Sequence, residues 1–110
     1  MQTGRLEKLL EFITNEPDDP FLKYALATEY LHLNQADKAL EYYQNLVTKH
    51  PNYVGTYYHL GKLYEALNRR EDAINTYETG MKISREQRDN HAFSELQAVY
   101  NELKDLDDDE

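Results

Sequence analysis

The chain contains no cysteine, so disulfides, thiolate metal sites and a cysteine nucleophile are all excluded. Tryptophan is also absent, and only three prolines and four glycines punctuate 110 residues. No hydrophobic run approaches the ~18 residues needed to span a bilayer. The N-terminus has neither the basic stretch nor the apolar stretch of a signal peptide. Positive charge is in short supply, with 12 Lys and Arg against 21 Asp and Glu and a net charge of −9. Such a chain repels phosphate backbones and anionic lipid surfaces, which argues against nucleic-acid and membrane partners. These absences leave a soluble, cytoplasmic protein as the expectation. What the sequence does contain is tyrosine, ten of them beside three phenylalanines.

Apolar residues recur at three- and four-residue spacing throughout, and β-strand alternation is nowhere sustained, so the fold class reads as all-α. A first ladder, Leu6, Leu9, Leu10, Phe12 and Ile13, is closed by Pro17, which cannot continue a helix. Asp18 and Asp19 before Pro20 make a strong start signal, an acidic N-cap with proline at the first helical position. Leu22, Leu26, Tyr30 and Leu33 follow. Asn34 then marks a turn, because asparagine tolerates the left-handed conformation that ends helices. Ala39, Leu40, Tyr43, Leu46 and Val47 lead to Pro51, and the pattern starts again. At an offset of 34, residues 20–53 and 54–87 share seven identities without a gap. They pair Tyr24 with Tyr58, Leu26 with Leu60, Tyr30 with Tyr64, Leu33 with Leu67, Asn34 with Asn68, Ala39 with Ala73 and Tyr43 with Tyr77. Each unit reads as a helical hairpin, which must stack on neighbours to bury its apolar face.

Tyr57-x-x-Leu60-Gly61-x-x-Tyr64, followed by Ala73-x-x-x-Tyr77, resembles the tetratricopeptide repeat, with tyrosine where the family usually has tryptophan. The earlier unit supplies Leu26-Ala27-x-x-Tyr30, Ala39-x-x-x-Tyr43 and Pro51. Small residues suit Ala27, Gly61, Ala39 and Ala73, where the helices of a hairpin cross closely. Two positions depart from the pattern: Lys23 replaces a large aromatic, and Arg85 replaces the closing proline. The resemblance implies a short helical-hairpin solenoid of about five antiparallel helices in one domain. Its parts would be a half-repeat helix at 5–17, repeats at 20–53 and 54–87, a capping helix at 88–106 and an acidic tail at 107–110. The acidity belongs to the ends. Residues 20–87 carry eight basic and eight acidic side chains, whereas residues 88–110 carry two and eight.

Enzyme signatures are missing. His32, His50, His59 and His91 do not form the i, i+3 or i, i+4 pairs of helical metal sites, and no GxSxG or phosphate loop occurs. Glu71 and Asp72 sit at a helix start, where they favour the macrodipole. Asp105, Asp107 and Asp109 alternate as in a calcium loop but lack its glycine and bidentate glutamate. Catalytic residues, metals and cofactors are therefore expected to be none. Lys62, Arg69, Arg70 and Lys82 are too dispersed to track a phosphate backbone.

The resemblance instead implies a protein-interaction module, a scaffold whose first helices line a concave groove for a peptide or helix of a partner protein. The groove stripe would carry Tyr24, Thr28, Leu31 and His32 in the first repeat and Tyr58, His59, Lys62 and Glu65 in the second. Ser94, Glu95, Ala98 and Asn101 would extend it. Tyr24 and Tyr58 share a repeat position and are expected at exposed sites, where tyrosine offers a flat apolar face and a hydroxyl. The family's carboxylate clamp is not expected, since Tyr24, Thr28 and His59 stand where its Lys and Asn donors belong. A monomer is expected, with self-assembly through the terminal helices as the alternative. Tyr42 and Tyr53 receive no role.

Overall fold

The computed structural model describes residues 4–108, with side chains through Asp105. Six helices account for nearly all of it: α1 (Gly4–Asn15), α2 (Pro20–His32), α3 (Ala36–Lys49), α4 (Gly55–Ala66), α5 (Arg70–Glu86) and α6 (Asn90–Asp108). No strand occurs among the described residues. The count is six rather than the expected five. Two complete hairpins already contain four helices, and each flanking segment is long enough to form one of its own. The side chains of the acidic tail lie outside the described residues.

The chain divides between Tyr53 and Val54 into two compact units of three helices each. In unit 1, α2 packs on both α1 and α3. Asp19 caps α2 as the sequence indicates: its carboxylate accepts from the backbone N–H of Phe21 at 2.8 Å and of Leu22 at 3.3 Å. The core holds Leu6 and Leu9 of α1, Leu26 and Ala27 of α2, and Ala39, Tyr43 and Leu46 of α3. Complete burial of one such leucine stabilises by roughly 1.5–3 kcal/mol. Charged groups enter this interior as well. Glu29 is buried and held by Arg5 of α1 at 3.1 Å, so its carboxylate is paired rather than stranded.

In unit 2, α5 packs on α4 and α6, and α6 also touches α4. Tyr57, Leu60, Tyr64, Ala73, Tyr77, Leu96 and Leu103 form the core. Arg70 ties α5 to α6 by donating to the Leu103 carbonyl at 2.8 Å. The Arg69 guanidinium lies 4.7 Å from the centre of the Tyr64 ring, so the Arg69–Arg70 pair is absorbed by the fold.

Three turns share one device. Asn34, Asn68 and Arg88 all have φ of 60°. At each, the following N–H reaches back across the helix end, Gln35 to Tyr30, Arg69 to Tyr64 and Asp89 to Ser84. This pairing satisfies carbonyls that a helix end leaves open. Asparagine enters the left-handed region at little cost, whereas arginine lacks the short side chain that helps. Asp89 then starts α6 by accepting from the Ala92 N–H at 3.0 Å. Without a proline at position 85, α5 runs to 17 residues, against 14 for α3.

Gly61 and Gly80 both sit where a neighbouring side chain comes close in unit 2. A Cβ on Gly61 would collide with the Tyr77 ring, and one on Gly80 would stand 2.5 Å from the Tyr57 Cβ. Around Gly55 there is open space. Gly61→Ala is therefore expected to destabilise by about 1–3 kcal/mol through overpacking, while Gly55→Ala costs nothing or stabilises by up to ~1 kcal/mol. Urea unfolding of the two variants checks the contrast.

Candidate functional site

The sequence places its candidate binding residues on the first helix of each hairpin, and each helix fixes its own set. On α2, Tyr24 is half-buried rather than exposed. Its ring lies edge-on to Tyr43, with centroids 6.4 Å apart, and tilted against Tyr53 at 5.9 Å. Burial, reinforced by Tyr53, pushes the Tyr24 phenol above its ordinary pKa. Thr28 donates to the Tyr24 carbonyl at 3.1 Å, leaving its oxygen to accept from the Tyr43 hydroxyl at 3.4 Å. Leu31 is half-buried. His32 is the most open of the four, its side chain 71% exposed and 3.8 Å from the Glu29 carboxylate.

On α4, Tyr58 is half-buried and meets the His59 ring edge-on at 5.4 Å. Burial lowers the His59 pKa, with Glu95 of α6 pulling the other way. Lys62 is exposed and lies 3.9 Å from Glu65. Glu65 also accepts the hydroxyl proton of Tyr77, whose pKa is driven far above the ordinary phenol value by burial and by that carboxylate. Of the extension suggested on α6, Ser94, Glu95, Ala98 and Asn101 are all exposed.

Tyr24, Thr28 and Glu65 thus take part in internal packing, and His32 and Lys62 are the freest charged or polar groups of the set. Sequence reasoning missed two rings. Tyr53 packs on Tyr24, and Tyr42 stacks on Tyr30 with centroids 5.9 Å apart and planes 18° from parallel. The adjacent pair Tyr42-Tyr43 held the signal. Neighbouring helical residues point about 100° apart, so with Tyr43 in the core Tyr42 must reach another surface. No cluster of His, Asp or Glu suited to a metal ion occurs among the described residues. Among them, too, no helix is long and apolar enough to cross a membrane.

Helical hairpins joined by left-handed turns, with a tyrosine ring seated on a small residue where they cross, define a helical-repeat protein. The chain belongs to the tetratricopeptide repeat family, whose model matches residues 30–100. Solved structures agree. A tetratricopeptide repeat domain protein from Salinibacter ruber is 49% identical, with a TM-score of 0.77 over 80% of this chain and 98% of that one. A protein from Bordetella parapertussis is 25% identical, with a TM-score of 0.81 over 97% and 92%. The TPR2B domain of yeast Sti1, solved in complex with pHsp70, shares the fold at 18% identity and a TM-score of 0.83, over 92% and 81%. Among curated proteins none matches the chain. The fold is that of a protein-interaction module.

The lowered His59 pKa has a sign. The folded state favours the neutral ring, so the stabilisation is fully present above the ordinary imidazole value of 6.5 and is lost as pH falls through the lower folded value. Wild-type stability to urea should therefore fall more steeply than that of His59→Gln between about pH 7.5 and about pH 5. Parallel slopes would show that His59 titrates alike in both states.

Proposed function

We propose that the protein is a non-enzymatic binding module that captures a peptide or helix of a partner protein, in the concave groove that the family resemblance implies. The contacts would come from Tyr24, Thr28, Leu31 and His32 of α2 and from Tyr58, His59, Lys62 and Glu65 of α4. The observation that carries this reading is the repeat of a half-buried tyrosine at one position of both helices. A ring that is braced yet partly open loses little entropy on binding and still offers apolar area and a hydroxyl. Tyr43 and Tyr53 brace Tyr24, and His59 contacts Tyr58. The family supports a peptide or protein ligand, and the Sti1 domain is an instance solved with one. The mixed charge of His32, Lys62 and Glu65 fits a partly apolar segment better than a strongly acidic one.

A library of displayed peptides selected on the full chain tests the reading. Selected peptides should bind Tyr24→Ala/Tyr58→Ala at least ~10-fold more weakly, the loss of one or two hot-spot side chains, with the helical circular dichroism retained. Unchanged affinity in the folded double variant would remove these tyrosines from the binding face.

Self-assembly through the terminal helices is the second reading, and one observation favours it. Phe12 of α1 is 51% exposed and Phe21 at the start of α2 is 60% exposed, both in unit 1. Large apolar side chains left exposed are candidates for association surfaces. Under this reading light scattering at high micromolar concentration shows dimers or larger species that Phe12→Ser abolishes. A strict monomer rejects it.

A further inference from the structure

Unit 1 contains a cavity that the binding face on α2 does not use. It is open to solvent on one side, has a volume of about 490 Å³ and is bordered by the end of α1, the following loop, α2 and α3. That volume falls in the range of roughly 300–1,000 Å³ typical of small-molecule sites. Lys23 of α2 lines it and is the most unusual group there. Its side chain is only 7% exposed, and among the described residues its ammonium reaches a single carboxylate, Asp18, at 3.4 Å. An ammonium has three N–H donors, and burying it is costly unless they are paired. Asp18 is itself 87% exposed and offers one oxygen at long range.

The rest of the lining states what would complete the pairing. Lys38 and Lys49 of α3 add two cations, and Asp18 and Glu41 supply two anions. With Lys23 this makes three positive charges against two negative, a surplus of one. Beside them stands the stacked pair of Tyr30 and Tyr42. Tyr30 is buried, whereas Tyr42 keeps part of its ring open.

We propose that this cavity binds a flat organic monocarboxylate, its carboxylate on the Lys23 ammonium and its ring against Tyr42. A single negative charge matches the surplus of the lining, and a second would meet Asp18 and Glu41. A planar ring has a planar partner in the tyrosine pair, and the carboxylate accepts the N–H donors that Asp18 leaves open. The site is separate from the peptide-binding face. Lys23 and Tyr30, seven residues apart, share one side of α2, and Tyr24, Thr28 and Leu31 lie roughly 100° around it.

Benzoate is the probe, titrated into the full chain while the Tyr30 and Tyr42 ring signals and the Lys23 side-chain signals are followed by NMR. Saturable shifts are expected. Benzamide, the same shape without the charge, should bind at least ~10-fold more weakly, and phenyl phosphate no more tightly than benzoate. Lys23→Met keeps an unbranched side chain one atom shorter, removes the charge and should abolish saturation, with a melting temperature equal to or above the wild type because a buried cation is gone. Should that variant fail to fold, Tyr42→Ala serves instead and should weaken benzoate at least ~3-fold through loss of its ring. Shifts that rise linearly without saturating overturn the proposal, as does equal binding of benzamide or undiminished binding in either folded variant. The Tyr24→Ala/Tyr58→Ala protein should bind benzoate as the wild type does.

Discussion

Each hairpin buries a whole tyrosine at its centre, and every such ring brings a hydroxyl inside with it. Tyr43 and Tyr77 are both at 0% exposure. An unpaired hydroxyl in that position would cancel much of what burying the ring contributes. The two hairpins meet the constraint differently. Tyr43 donates to Thr28 of α2, and Tyr77 to Glu65, which lies one helical turn further along α4 in repeat register. In unit 2 the ring seats on Gly61, where any side chain would collide. The small residue, the ring and the acceptor on the facing helix form one device, and each limits the choice of the others.

That device also limits the candidate binding face. Thr28 and Glu65 lie on the helical stripe proposed for a partner and simultaneously satisfy buried hydroxyls, so a ligand there would meet side chains already oriented by the core. Tyr24 is similar, half-buried because Tyr43 and Tyr53 flank it. Pre-positioned groups lose less conformational entropy on binding than free ones. Recognition by such a face would rest on a braced surface with His32 and Lys62 as its exposed polar groups.

The start of α2 and two of the three left-handed turns were legible in the chain because they depend on neighbouring residues. Asp19-Pro20 caps α2, and Asn34 and Asn68 take the left-handed turns, as their chemistry predicts. Arg88 makes the same turn without an asparagine or glycine to announce it. There the need to bring α6 back onto α5 overrides local preference. The candidate stripes were legible as positions on helices, but their exposure was not. Burial of Tyr24 depends on Tyr53, 29 residues away, and no local pattern carries that.

Sequence alone determined the all-α class, the 34-residue period and the membership of a repeat family, since each rests on residue spacing and on small residues at crossings. The tertiary structure decided which polar groups are committed inside. It paired Tyr77 with Glu65, placed Tyr42 on Tyr30, and buried Lys23 where the repeat pattern asks for an aromatic ring. The physical reason is range. Helix periodicity and capping act over three or four residues, whereas desolvation and hydrogen-bond pairing depend on what the fold brings alongside.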